Sequence, residues 1–380
     1  MGNPLASVSL ARLRRRTSVK WRTFPEDVLP MFVAEMDVDP AEPIREALRT
    51  AIDLGDTGYP AGDAYARALG DFAAQRWGWS PAPEQTRPVA DVMTGVAEAL
   101  RLLTQAGDPV VVNPPVYFPF FDAVENTGRA LVEAPLGADG RIDFAVLEVA
   151  FRHAASRGRR AAYLLCNPHN PTGTVHTGAE LRQIADLAQA HGVRVVADEI
   201  HAPLVPRGAV FTPYLSVDPR GITLMSASKA WNLAGLKAAL MICGPDAVDD
   251  LGRLPELVTH GISHFGAIAH TAALRHGGPW LDDLLAGIAE NRTVLGELLA
   301  ERLPEVGYRP PEGTYLAWLD CRRLRIEGDP TDFFLERGKV AFAAGRIFGT
   351  GGDGHVRFNI GASPSTIAEG VDRMVAALRM

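Results

Sequence analysis

The sequence predicts an α/β protein with a three-layer, mainly parallel sheet and a smaller α+β domain. Between residues 46 and 275, short apolar runs alternate with helical segments, which is typical of a parallel sheet covered by helices. Of the 380 residues, 47% are hydrophobic and 22% are charged, so the chain can bury a large core. We expect a large domain at 46–275, and a smaller domain made of residues 276–380 together with an N-terminal arm, 1–45.

The elements of the large domain can be placed in order after an irregular arm. Pro25, Pro30, Pro40 and Pro43 interrupt any long helix in that arm. Buried strands are predicted where apolar residues run without a break, at 109–113, 162–166, 193–197 and 222–225.

Helix signals fill the remaining segments. Thr177 and Glu180 form a capping box, and Gly192 is a suitable stop for the helix that follows. In the smaller domain, the pattern predicts a long helix at 280–303, an alternating strand at 355–360 and a last helix at 365–378.

Composition and charge exclude several classes of protein. With 38 basic and 45 acidic residues the net charge is −7, which disfavours nucleic acid as a partner. No run approaches the roughly 20 apolar residues of a membrane-spanning helix, and the N-terminus has no apolar secretory region. Cys166, Cys243 and Cys321 cannot form a disulfide framework, which favours a reducing compartment. We therefore expect a cytoplasmic protein without a membrane or nucleic-acid partner.

Lysine is rare in this chain, which narrows the search for a reactive amine. The lysines are Lys20, Lys229, Lys237 and Lys339, and arginine cannot replace them because its pKa is too high. Lys229 follows Ser226 and Ser228 at the end of a predicted strand. The serines could bind a phosphate and the lysine could form an imine with an aldehyde. A surface lysine in a polar loop is the alternative.

Further polar side chains follow the other predicted strands, at the edge where parallel sheets bind ligands. Asp198 ends an apolar strand, where it needs either a positive ligand atom or a structural partner such as a helix cap or an ion pair. Asn170 lies in a turn at 167–173 that is made rigid by two prolines, and Gly173 permits a positive φ there. The turn is a strand-to-helix connection that can also direct the Asn170 amide at a ligand.

Three other features have a functional and a structural interpretation. The segment 94–97 precedes a predicted helical stretch at 98–105, and free backbone N–H groups at that helix start would suit a phosphate. Tyr117, in a proline-rich loop, could stack on a flat ring or simply pack. Arg357, on the polar face of its strand, suits a carboxylate or a structural salt bridge.

The motifs of other enzyme classes are missing from the sequence. Asp198 and His201 could form part of a metal site, but no further His or Cys lies at a supporting spacing, so we expect no metal. The sequence contains neither a Gly-x-Ser-x-Gly elbow nor a Walker-type loop.

Taken together, these residues resemble the fold type I pyridoxal-5′-phosphate (PLP) enzymes of the aminotransferase class I/II superfamily. The resemblance rests on the turn at 167–173, on Asp198, which lies 28 residues after Asn170, and on Lys229, 31 residues later. Within the superfamily the chain is most similar to the cystathionine β-lyase-like branch of carbon–sulfur lyases. That similarity is carried by residues 16–21, 29–37, 115–121, 198–201 and 228–236.

The resemblance implies a role for each candidate residue. Lys229 would bind PLP as an imine and then act as the base at the substrate Cα, while Arg357 would bind the α-carboxylate. Asp198 would keep the pyridine nitrogen protonated. The other cofactor contacts implied are Asn170 and His201 at the ring oxygen O3′, Tyr117 on the ring, and Val96, Ala97, Ser226, Ser228 and Lys237 at the phosphate. A homodimer is also implied, with Tyr59 reaching the partner's phosphate.

The resemblance therefore implies a β-lyase that converts cystathionine or other S-substituted L-cysteines to pyruvate, ammonia and a thiol. An aminotransferase uses the same carbanion, and a specialised enzyme of a biosynthetic pathway, including a decarboxylating one, is also compatible with these motifs. A non-catalytic regulator fits less well, because Lys229 and Asp198 are both present and the motifs begin by residue 16. His201-Ala202-Pro203 and Ala230-Trp231 depart from the lyase pattern and affect substrate identity.

Overall fold

A computed structural model describes residues 2–156 and 160–379. Its strands are β1 (Leu29–Pro30), β2 (Thr86–Val89), β3 (Pro109–Val112), β4 (Ala130–Glu133), β5 (Ala161–Cys166), β6 (Val193–Asp198), β7 (Ile222–Met225), β8 (Ala239–Cys243), β9 (Gly307–Tyr308), β10 (Leu316–Asp320), β11 (Val340–Ala341), β12 (Ala343–Ala344) and β13 (His355–Asn359). Its α-helices are α1 (Leu10–Leu13), α2 (Val19–Arg22), α3 (Glu42–Asp53), α4 (Ala64–Trp77), α5 (Val92–Leu103), α6 (Pro119–Asn126), α7 (Phe144–Ala155), α8 (Gly178–His191), α9 (Val248–Leu251), α10 (Glu256–Thr259), α11 (His264–His276), α12 (Gly278–Arg302), α13 (Pro330–Gly338) and α14 (Pro364–Leu378).

The large domain is built on a mainly parallel sheet. In the described residues this sheet has seven strands in the order β2-β8-β7-β6-β5-β3-β4. The strands from β7 to β4 are parallel neighbours, whereas β8 runs antiparallel between β2 and β7. The prediction of a mainly parallel sheet is therefore confirmed.

Helices cover both faces of this sheet and make three layers. Side chains alternate along a strand, so Tyr163 and Leu165 of β5 face one way and Ala162 and Leu164 face the other. The first pair packs in a core with residues of α7 and α8, and the second pair packs with residues of α5 and α6. These strands are buried on both faces, which explains their unbroken apolar runs.

A second, antiparallel sheet lies in the C-terminal part, with the order β12-β13-β10-β9. Helix α13 packs against β12 and β13 of this sheet and against α14, which in turn packs against α12. The N-terminal arm joins this part through β1, which pairs in parallel with β11 so that Leu29 lies opposite Val340. The domain boundaries at residues 45 and 275 stay a prediction.

Most of the predicted elements form close to their expected bounds. The strand predicted at 222–225 is β7, and the helix predicted at 280–303 is α12, which begins at Gly278 and ends at Arg302. The capping box of α8 is present: Thr177 Oγ1 accepts from the backbone N–H of Glu180, and Glu180 Oε2 accepts from that of Thr177. None of the described helices is long and apolar enough to cross a membrane.

Candidate active site

A cavity opens at the carboxyl edge of the large sheet, where the sequence predicted that polar residues would gather. It is bordered by the ends of β5, β6 and β7, by the start of α5 and by the N-terminal arm. The predicted residues among those lining it are Tyr117, Asn170, Asp198, His201, Ser226, Ser228, Lys229, Lys237 and Arg357. Cys166 and Asp198 are directly paired residues at the ends of β5 and β6, so the sheet itself fixes the base of the cavity.

Lys229 presents its amine inside this cavity. Lys229 Nζ donates to the backbone oxygen of Ala34 in the arm, at 3.2 Å. Burial, and secondarily the positive charge of Arg357, lower the pKa of the amine to about 8. About a tenth of the amine is therefore uncharged at pH 7, far more than for an ordinary lysine, and the uncharged form is the one that a nucleophile or base requires.

Asp198 is a buried carboxylate with backbone support but no ion pair. Its Oδ1 accepts from the N–H of Ile200 at 3.0 Å, and no salt bridge within 4.0 Å joins it to any described residue. Burial raises the pKa of the carboxyl to about 6, while the bond from Ile200 and the charge of Lys229 lower it. A cationic group in the cavity would stabilise its ionised form.

Arg357 and Asn170 form a pair that faces the same cavity. Arg357 Nη1 donates to Asn170 Oδ1 at 2.9 Å, and Nη2 donates to the backbone oxygen of Phe32 at 3.1 Å. The Nε of Arg357 is buried without a partner in the described residues. Burial lowers the pKa of this guanidinium to about 10, so it remains charged near neutral pH. A fixed guanidinium without a carboxylate partner suits an anionic ligand.

His201 and Tyr117 complete the inner wall. The Nδ1 of His201 is buried without a partner among the described residues, and burial shifts the pKa of the ring well below its usual range. The ring is therefore neutral near pH 7. Burial, together with the charge of Asp198, raises the pKa of Tyr117 to about 12, so its hydroxyl remains protonated.

The start of α5 requires a correction to the sequence prediction. We expected free N–H groups at Val96 and Ala97, but the helix begins at Val92, one turn earlier. Val96 and Ala97 lie in the second turn, where N–H groups bond to carbonyls within the helix, and Val96 is fully buried. The N–H of Thr94 bonds to Asp91 Oδ1 at 2.7 Å. Val92 and Met93, which line the cavity, are the residues at the free helix end.

Two other predicted residues have different surroundings. Lys237 lines the cavity and forms an ion pair with Asp91, with Nζ 2.7 Å from Oδ2. Tyr59 is 90% exposed and does not line the cavity of its own chain. Its role across a dimer stays a prediction.

Sequence reasoning gave no role to the arm residues that line the cavity. Val33 and Ala34 border it, and the backbone oxygen of Ala34 accepts from Tyr315 as well as from Lys229. These contacts use backbone atoms, so no side-chain type in the arm could have signalled them. No group of His, Cys, Asp and Glu that could bind a metal occurs within residues 2–156 and 160–379.

The profile of the aminotransferase class I and II family matches residues 46–374. The chain belongs to this family. Among curated proteins that are similar to this chain, a protein of Mycobacterium tuberculosis named putative cystathionine beta-lyase is 55% identical, with 99% of this chain and 98% of that protein covered. Cystathionine beta-lyase PatB of Bacillus subtilis is 36% identical, over 95% of this chain and 96% of PatB.

Solved structures of the aminotransferase family agree with the fold described above. A putative PLP-dependent beta-cystathionase of Corynebacterium diphtheriae has a TM-score of 0.91 and 35% identity, covering 99% of each chain. Cystalysin of Treponema denticola, which contains PLP, has a TM-score of 0.91 and 28% identity, covering 100% of this chain and 99% of that one. The predicted fold type I architecture and the predicted resemblance to the cystathionine β-lyase-like branch are both confirmed.

Proposed function

We propose that this chain is a PLP-dependent carbon–sulfur β-lyase acting on cystathionine-like and other S-substituted L-cysteines. The observation that carries the proposal is that Lys229, Asp198 and Arg357 line one cavity at the carboxyl edge of the sheet. The names of the relatives at 55% and 36% identity support a lyase. The net reaction consumes the S-substituted cysteine and one water, breaks the Cβ–S bond, and releases pyruvate, ammonia and the thiol.

The residues of the cavity fit the chemical groups of PLP. Lys229 supplies the amine that condenses with the aldehyde, and the unpaired carboxylate of Asp198 suits the protonated pyridine nitrogen. Asn170 uses its oxygen for Arg357, which leaves its N–H groups for O3′. His201, whose Nδ1 has no partner in the described residues, would be a second group for that oxygen, and Tyr117, which lines the same cavity, would cover the ring.

The phosphate end of the cofactor would lie at the start of α5. Ser226, Ser228 and Lys237 line this part of the cavity together with Val92 and Met93. The free N–H groups of a helix start and a lysine favour an anion. In the described structure Lys237 forms an ion pair with Asp91, so a phosphate would compete with the Asp91 carboxylate for this lysine.

In the reaction, the residues of this chain position the substrate and move one proton. PLP bound at this site supplies an electron sink for the electrons of the broken Cα–H bond. Arg357, which is fixed by its bond to Asn170, would bind the α-carboxylate and so fix the orientation of Cα. Lys229 Nζ, whose pKa is lowered to about 8, accepts the Cα proton near neutral pH. Asp198 would supply the negative charge that keeps the ring nitrogen protonated.

We propose a homodimer in which Tyr59 reaches the partner's phosphate. The support is the exposure of Tyr59 and of two apolar side chains nearby in sequence, Ile52 at 63% and Leu54 at 77%. Exposed apolar residues that cluster in one short segment are typical of an interface. We also propose a cytoplasmic location and a small amino acid as the only partner besides PLP and the second subunit. The buried free thiols Cys166, Cys243 and Cys321 support the reducing compartment.

An assay without any keto acid tests the β-lyase directly. PLP-loaded protein incubated with L-cystathionine or djenkolate is expected to release pyruvate and a thiol in equal amounts. Lys229→Ala, reconstituted in the same way, is the control and is expected to release neither. Absence of both products with the loaded wild-type protein would refute the proposal.

An aminotransferase is the second candidate, and the observation that favours it is the family profile itself. PLP would then supply C4′ as the carbon to which Lys229 delivers the proton taken from Cα. Turnover that strictly requires a 2-oxo acid, with no pyruvate formed from the cysteine substrate, would establish this alternative.

A further inference from the structure

The N-terminal arm passes the cavity as a segment whose backbone is bound by side chains. Each backbone oxygen of residues 32–36 accepts a hydrogen bond from a side chain. The donors, in order along the segment, are Arg357 to Phe32, Asn359 to Val33, Lys229 and Tyr315 to Ala34, Asn359 and Lys20 to Glu35, and Asn232 to Met36. A peptide segment with all its carbonyls bound in this way is fixed in position.

Each of the two functional cations is followed in sequence by an asparagine that binds the same segment. Asn359 follows Arg357 by two residues on β13, and its Nδ2 donates to Val33 and Glu35 at 2.8 and 2.7 Å. Asn232 follows Lys229 by three residues, and its amide bonds to both backbone atoms of Met36, at 2.8 Å to N and 3.0 Å to O. Segment 32–36 is therefore bound by Asn232 from the loop that follows β7 and by Asn359 from β13 of the C-terminal sheet.

We propose that Asn232 and Asn359 are positioning residues that set the distance between Lys229 and Arg357 through segment 32–36. The inference rests on the proposed function, in which those two cations act on one amino acid. Lys229 and Arg357 come from different sheets, and both donate to this segment. If the segment shifts, the guanidinium of Arg357 is displaced from the α-carboxylate of an amino acid that is held next to Lys229, so that carboxylate is bound less tightly.

The cleanest variant to test is Asn232→Gly. Asn232 has a φ of +58°, a conformation that glycine adopts without strain. The substitution therefore removes the two amide contacts with little change to the loop. Arg325→Gly is the matched control, because Arg325 also has a positive φ, of +54°, and lies exposed outside the cavity. Asn359→Ala tests the other end of the segment.

Steady-state kinetics with L-cystathionine distinguish positioning from folding. We expect KM to rise about tenfold in Asn232→Gly and in Asn359→Ala with a much smaller change in kcat, because substrate binding is weakened. Partial unfolding would instead lower kcat at an unchanged KM. An unchanged KM in both variants would overturn the proposal, and if one variant fails to fold, the other decides.

Hydrogen exchange in the cofactor-free protein gives a readout that does not depend on catalysis. The N–H of Met36 bonds to Asn232, whereas that of Asp37 bonds to the backbone oxygen of Gly361. In Asn232→Gly we expect Met36 to exchange at least about tenfold faster, with Asp37 and the Arg325→Gly protein close to wild type. Equal exchange of Met36 in wild type and variant contradicts the proposal. If wild type forms no pyruvate, the proposed function fails while this result still stands.

Discussion

At the scale of single residues, the amine of Lys229 illustrates how burial prepares a group for chemistry. Burial disfavours the charged ammonium, and Asp198 and Arg357 act on it with opposite sign. The result is a pKa of about 8 instead of the usual lysine value of 10.5. When the pH lies between these two pKa values, the folded cofactor-free protein therefore binds fewer protons at Lys229 than the unfolded chain does.

This difference predicts a pH-dependent effect on stability. Below about pH 8 the unfolded state is favoured by its charged amine, so Lys229 destabilises the cofactor-free fold there, by about 3 kcal/mol. This destabilisation disappears as the pH rises towards 10.5. Cofactor-free Lys229→Met should therefore unfold at higher denaturant concentration than wild type at pH 7, and the gap should narrow by pH 10. A difference between the two unfolding midpoints that widens with pH would contradict the lowered pKa of Lys229.

Arg357 allows a second prediction at this scale. Its two Nη atoms are fixed by Asn170 and Phe32, a geometry that a lysine cannot reproduce. Arg357→Lys should raise KM for L-cystathionine by about 10- to 100-fold while kcat changes less, because the lost bond serves ground-state binding. Arg152→Lys, an exposed change on α7, is the matched control. A change confined to kcat would argue against a carboxylate site at Arg357.

At the scale of elements, the cap of α8 determines where the helix that follows the Asn170 turn begins. Thr177 and Glu180 satisfy each other's backbone N–H groups. Thr177→Ala should lower the free energy of unfolding by about 1 kcal/mol, measured by urea denaturation. Thr293→Ala, on the exposed face of α12, should change it by less than about 0.5 kcal/mol. Equal effects of the two substitutions would mean that the cap contributes nothing.

Element positions were predictable wherever the signal was local. β5, β6 and β7 were predicted because strands buried on both faces are continuous apolar runs, and α8 because its caps are explicit. The start of α5 was misplaced because the small residues at 94–97 resemble a helix start. Asp91 is the actual N-cap, and its carboxylate accepts from Thr94 as an N-cap side chain should.

At the scale of the whole molecule, the candidate site depends on contacts between distant parts of the chain. The approach of Arg357 to Asn170 spans 187 residues, and that of Lys229 to Ala34 spans 195. The resemblance to a family implied that Arg357, Asn170 and Lys229 share one site, which the local pattern alone could not predict. The contacts of the arm escaped prediction because they use backbone oxygens, which every residue type carries.

The proposed dimer makes a prediction that belongs to the assembly. If Tyr59 completes the partner's site, Tyr59→Ala and Lys229→Ala should each lose most of the activity as separate homodimers. When the two variants are denatured together in equal amounts and refolded, half of the dimers would contain one subunit of each variant. Each of these mixed dimers would have one intact site. We expect recovery of about a quarter of wild-type activity. No recovery in mixtures that are shown to contain mixed dimers would place Tyr59 outside the partner's site.

The central claim is that PLP is bound covalently to Lys229 and to no other lysine of this chain. Borohydride reduction of the PLP-loaded protein, followed by peptide mass spectrometry, tests it most directly, because reduction converts the imine into a stable secondary amine. We expect a pyridoxyl label on the peptide that contains Lys229, and we expect that label to be lost in Lys229→Ala. A label on Lys20, Lys237 or Lys339, or no label on protein saturated with PLP, would contradict it.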